Sequence, residues 1–88
     1  MSPTVLRHGP FRFFFYSNEA GEPSHIHVQE GRKLAKFWLQ PVRLAKSTGF
    51  ASHELNRIES LVAEHESRFL EAWNDFFGST SEPPSDLG

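Results

Sequence analysis

His25 and His27 stand two residues apart in PSHIHVQE, residues 23–30. If that run is a strand, side chains at i and i+2 point to the same face. Two imidazoles on one face can share a metal ion, or act as a general acid and a general base. As a metal signal the pair is weak, because a third ligand must come from elsewhere in the chain, and no metal site is assigned. A structural reading stands beside the chemical one: histidines hydrogen-bonded beside the loop that precedes them. The sequence offers no Ser/His/Asp order, no Gly-rich phosphate loop and no convincing carboxylate pair, so no cofactor is expected.

The second chemistry-bearing stretch is FRFFFYS, residues 11–17. As a strand it would be aromatic on both faces, with Phe11, Phe13 and Phe15 on one and Phe14 and Tyr16 on the other. A half-exposed strand should alternate apolar with polar. Something therefore has to cover or use the second face. Placed beside neighbouring strands, that face would collect Arg12, Phe14 and Tyr16, then His25, His27 and Gln29, then Lys36 and Trp38. Aromatics interleaved with cations can stack on unpaired bases while holding phosphates. They can equally form a protein interface, where aromatic residues and Arg are enriched. The candidate catalytic residues are His25 and His27; the candidate binding residues are Arg12, Phe14, Tyr16, Lys36 and Trp38. The assignment assumes no β-bulge, since a one-residue slip exchanges the faces.

The elements that must position these residues read as follows. Val5-Leu6-Arg7 begins a short strand, and His8-Gly9-Pro10 is turn chemistry, Pro being unable to donate to a central ladder. Asn18–Ser24 is a loop punctuated by Gly21 and Pro23. His25–Glu30 and Lys33–Leu39 alternate as strands around a tight turn at Gly31, with Ala35, Phe37 and Leu39 facing Ile26 and Val28. Val42–Gly49 reads as either an edge strand or a helical turn. Ser52 has the chemistry of an N-cap, with Glu54 in the first turn. Leu55, Ile58, Leu61, Val62, Phe69, Trp73 and Phe76 then recur at three- and four-residue steps, as one amphipathic helix or two broken near His65-Glu66-Ser67. His65 falls on the apolar stripe, His8 and His53 beside turns. Gly78 closes the helix, and the Pro/Ser-rich residues 79–88 are expected to be disordered. The expected fold is α+β: one domain over residues 1–78, an antiparallel meander of three to four strands with the helix packed on one face.

Composition bounds the answer. The chain has 88 residues, nine of them Phe, no Cys and a net charge of −2. That charge hides an asymmetry: residues 1–50 carry seven cations against three anions, residues 51–88 two against eight. The two halves either attract each other on folding or present a basic face and an acidic counter-face. Without cysteine there is no disulfide framework. The segment MSPTVLRHGP lacks an apolar leader core, and no run is long enough to span a membrane, so the expectation is a cytoplasmic protein with no membrane partner.

Four pieces of the chain resemble one family of short bacterial proteins, the domain of unknown function 4160. They are FFYSNE (residues 14–19), PSHIHV (23–28), AKFWL (35–39) and LEAWNDFFG (70–78). The most specific is Pro-x-His-x-His-Val, on Pro23, His25, His27 and Val28, with Ser24 where relatives often carry a second proline. The resemblance implies a two-component, toxin–antitoxin-like module whose second member is a small protein of the domain-of-unknown-function 2442 family encoded nearby. No catalytic residues come with it. Two functions follow as expectations. The first is a component acting on RNA, as a metal-independent ribonuclease in which one of His25 and His27 deprotonates a ribose 2′-OH and the other protonates the leaving oxygen, with Arg12 and Lys36 on the phosphate. The second is a non-catalytic module whose aromatic face binds a protein partner or a second copy of itself.

Overall fold

The computed structural model describes residues 4–16 and 21–77. Its elements are β1 (Thr4–His8), β2 (Phe11–Phe14), β3 (His25–Glu30), β4 (Lys33–Leu39), β5 (Val42–Thr48), α1 (Ser52–Glu64) and α2 (Glu66–Phe77). The strands form one antiparallel sheet in sequence order. The fold is therefore α+β, with five strands where three to four were expected. Residues 79–88 and the assignment of Gly78 lie outside the described residues, as do residues 18–20 of the Asn18–Ser24 loop.

Three of the four strand connections are two-residue turns. Gly9 and Gly31, at φ of 56° and 60°, open the first and third of the connections, as primed hairpin turns require. The β4–β5 turn is Gln40-Pro41, through a cis peptide. Only β2 to β3 is joined by a longer segment. Val42–Thr48 resolves as an edge strand, and its ambiguity in the sequence has a physical cause. The β4–β5 register runs Leu39↔Val42, Trp38↔Arg43, Phe37↔Leu44 and then slips, so that Lys36 faces Lys46. Ala45 is the extra residue of a β-bulge, and it breaks the alternation that identifies a strand.

The core lies between the sheet and the helices. Phe11, Phe13 and Phe15 on one side, Ile26 and Val28, then Ala35, Phe37 and Leu39 pack against Ile58, Leu61 and Val62 of α1 and Phe69 and Trp73 of α2. Phe13 stacks on Phe69 at 5.3 Å between ring centroids, and Phe15 meets Trp73 edge-on at 5.5 Å. Each fully buried large side chain contributes about 1.5–3 kcal/mol relative to exposure.

The helix is broken, at His65. The His65 N–H bonds the Leu61 carbonyl, closing α1, while the His65 carbonyl accepts from Phe69 N–H inside α2. The bend lets both apolar stripes reach the same sheet. His65 packs beside Phe69, as its place on the stripe required, with Nε2 buried. The N-cap is Ala51, not Ser52, which is already helical. Alanine has no capping side chain, and the substitute is Glu54: its carboxylate accepts the Ala51 N–H at 2.8 Å and a Lys33 ammonium hydrogen at 2.8 Å.

Candidate functional site

The outer face of the sheet, away from the helices, brings the expected residues together. Cross-strand partners in an antiparallel pair share a face, so the register fixes three rows. One row runs Arg7, Arg12, Gln29, Leu34, Thr48; the next Thr4, Phe14, His27, Lys36, Lys46; the third His25, Trp38, Arg43. Tyr16 continues past β2 on the same side, edge-on to Phe14 at 5.3 Å and to His27 at 4.7 Å.

The face is built around two cation–aromatic pairs. The Arg12 guanidinium lies 4.4 Å above the Phe14 ring, and the Lys36 ammonium 4.6 Å above that of Trp38, contacts of about 0.5–1 kcal/mol when exposed. Arg12 is held in plane by a chain of hydrogen bonds. Its Nε donates to Thr4 Oγ1 at 2.8 Å and its Nη1 to Gln29 Oε1 at 3.2 Å. Gln29 Nε2 donates in turn to the Gly31 carbonyl, so the amide oxygen is the atom presented to Arg12. Lys36 donates to Glu22 Oε1 at 2.6 Å.

The two histidines are placed differently from one another. His27 is sandwiched on the outer face, stacked on Phe14 at 5.5 Å, and is 7% exposed. His25 is 0% exposed. Its ring reaches past the sheet end to Trp73 of α2 at 4.8 Å while also meeting Trp38 and His27. Its Nδ1 lies 2.9 Å from the Pro23 carbonyl. A carbonyl only accepts, so Nδ1 carries the hydrogen and pins the loop end, where Ser24 also accepts from Leu39 N–H at 3.1 Å. A general acid or base has to reach the proton it transfers, and the buried Nε2 of His25 lies away from the surface. Through Nδ1, His25 ties the end of the loop to the start of β3. Among the described residues no three His, Asp or Glu side chains converge as a metal would need.

Arg12, Phe14, Tyr16, His27, Lys36 and Trp38 thus share one surface. Phe14 is its floor, 2% exposed, and Tyr16 its exposed aromatic, at 38%. A family comparison matches residues 11–74 to "Domain of unknown function (DUF4160)". The chain belongs to this family. The matched span runs from the start of β2 into α2 and contains every candidate site residue of the DUF4160 domain, while β1 lies outside it. No curated protein and no solved structure matches the chain.

Three cations of the DUF4160 outer face escaped the sequence reading: Arg7, Arg43 and Lys46. Arg7 was hidden because the register of β1 slips between Thr4 and Leu6, so that its short run shows no clean alternation. The other two sit on β5, where counting alternately from Val42 would send Lys46 to the inner face. The bulge at Ala45 returns it to the outer one. The charge surplus of residues 1–50 was the signal that could have found them. With Arg12 and Lys36 the outer face carries five cations, and Glu22 is paired with Lys36 among them. A cleft of about 540 Å³ lies elsewhere, between β1 and α2 beside Phe15 and Phe76. No helix among the described residues is long and apolar enough to cross a membrane.

Proposed function

We propose that this DUF4160 domain binds single-stranded RNA on its outer sheet face, without cleaving it. The observation that carries the reading is the collection of Arg7, Arg12, Lys36, Arg43 and Lys46 on one face with Tyr16 and Trp38. Cations hold phosphates, and exposed rings or a guanidinium plane accept unpaired bases. The acidic residues of the helices, Glu59, Glu64, Glu66, Glu71 and Asp75, project from the opposite layer and leave that face basic. A histidine pair serving as base and acid receives no support from a His25 that is buried and committed to Pro23.

The test is fluorescence anisotropy with a labelled single-stranded RNA at several salt concentrations. Neutralising about three to five phosphates gives a slope of log affinity against log salt of about −2 to −3.5. Gel analysis of the recovered RNA should show it intact. No salt-dependent binding would overturn the reading, and concentration-dependent mass in light scattering would put a second copy on this face instead. Cleavage that disappears in a folded His25→Ala/His27→Ala variant would restore the ribonuclease. Membership of a toxin–antitoxin-like pair rests on the family resemblance, and growth arrest after induction in a bacterial host is its measure.

A further inference from the structure

The bulge in β5 shapes a cleft of about 390 Å³ on the outer face, whose lining includes Tyr16, His27, Lys36, Lys46 and Thr48, with Glu22 at its edge. Lys36 and Lys46 are direct cross-strand partners. Like charges in that position destabilise a sheet, and here the bulge creates the juxtaposition. One of the two ammonium groups is neutralised: Glu22 Oε1 sits 2.6 Å from Lys36 Nζ. Lys46 has no ion pair among the described residues. Glu22 belongs to the short exposed run Gly21–Pro23, its side chain is 44% exposed, and the oxygen on Lys36 also lies 3.9 Å from His25 Nδ1, so displacing it exchanges polar contacts rather than buried packing.

An internal carboxylate set against one of two paired cations, at the mouth of a small cleft, marks where an external anion fits. We propose that this cleft is a subsite for a terminal phosphate group, with Lys36 and Lys46 as its cations and Glu22 as the carboxylate that the phosphate displaces. A phosphomonoester suits it better than an internal phosphodiester. It carries up to two charges and three terminal oxygens, enough to engage both ammonium groups, and a cleft of about 390 Å³ is of a size for one such group. The inference rests on the outer face being an RNA-binding surface, and it adds which end of the strand that surface selects.

The experiment compares one RNA sequence bearing a 5′-phosphate or a 5′-hydroxyl, by anisotropy, against wild type, Lys46→Ala and Glu22→Gln. Inorganic phosphate is titrated separately while amide chemical shifts are followed by NMR. Lys46 is exposed on an edge strand, so its truncation leaves the fold intact, as circular dichroism verifies. The wild type should favour the phosphorylated strand by about tenfold, one lost charge-assisted contact being of that order. Lys46→Ala should bring the ratio close to one, and Glu22→Gln should raise affinity for the phosphorylated strand several-fold by removing the competitor. Inorganic phosphate should shift the amides of Lys46, Ser47 and Thr48. If both strands bind equally and phosphate shifts none of these amides, the subsite is wrong while the RNA-binding face stands. If neither strand binds but phosphate still shifts them, the RNA reading fails and the subsite survives as a site for small phosphorylated molecules. A Glu22→Gln variant that weakens phosphate binding would overturn the displacement.

Discussion

The two faces of the sheet are made of similar residues used in opposite ways. Both are rich in aromatics, yet the inner face pairs its phenylalanines with aliphatic side chains and the helices, and the outer face pairs Phe14, Tyr16 and Trp38 with cations and imidazoles. On the inner face aromatic area is removed from water by a second layer. On the outer face it is covered by charged side chains two residues along the same strand, the Arg12 guanidinium over Phe14 and the Lys36 ammonium over Trp38. Aromatic content alone therefore does not say which face is the core. What decides is whether the helix layer or a charged side chain of the same strand lies over the rings.

That contrast can be broken, and the largest effect should come from the inner face. Phe13→Ala removes a fully buried ring stacked on Phe69 and should cost about 3–5 kcal/mol. Against a total of about 4–13 kcal/mol for a chain of this length, urea denaturation should show a domain partly unfolded or nearly so. Phe14→Ala tests the same ring on the other face. Because the ring packs on Arg12, Tyr16 and His27 with no second layer above them, a loss of about 1.5–3 kcal/mol is expected. Equal losses at Phe13 and Phe14 in the same denaturation series would mean that the two faces are equivalent cores, and the contrast would fail.

Next in size come substitutions that separate stability from binding. Arg43→Ala should leave the midpoint of urea unfolding within about 0.5 kcal/mol of wild type. It should nevertheless reduce the salt slope of RNA binding by about 0.7, the contribution of one phosphate contact on a single strand. His25→Ala should do the reverse, destabilising the domain through lost contacts with Trp73 and Pro23, while leaving the salt slope of the folded fraction unchanged.

The smallest effect concerns the join between sheet and helix. Hydrogen bonds from the Ala51 N–H and then from Lys33 hold the Glu54 carboxyl below its ordinary range, and the bond to Glu54 raises Lys33 above its own. A depressed carboxyl contributes stability in full above its unfolded value and loses it as pH falls through the folded one. A raised lysine contributes at every pH below its unfolded value and loses its contribution as pH rises through the folded one. Thermal melts from neutral pH downward should therefore show a small decline in Tm below the ordinary carboxylate range, one that is flattened in Glu54→Gln.

Much of this was legible from residue order because the informative strands alternate cleanly. Ile26, Val28, Ala35, Phe37 and Leu39 declare one face, and His25, His27, Lys36 and Trp38 the other. The break at His65 was visible only as an alternative, since a helix that bends toward the sheet keeps three- and four-residue spacing on both sides of the bend. Two things were hidden. Lys46 was concealed by a bulge, which changes the face of a residue without changing its neighbours in sequence. The N-cap was misread because a hydroxyl at Ser52 is the usual signal, whereas here the Glu54 side chain reaches back to an alanine. His25 stayed undecided because burial at the end of a strand depends on α2, more than forty residues away.

The order of the strands in the sheet is the order in which they leave the ribosome. Each strand can pair with the one synthesised just before it, so the meander closes through local contacts and should form early. The two helices that cover its inner face come last. At about 5–20 residues per second, residues 51–77 take roughly one to five seconds to emerge, and for that interval a nascent sheet shows Phe11, Phe13, Phe15 and Phe37 to water. The domain is most exposed to aggregation and to chaperone capture in that window, and replacing the codons for α1 with slower ones would lengthen it without altering the native protein.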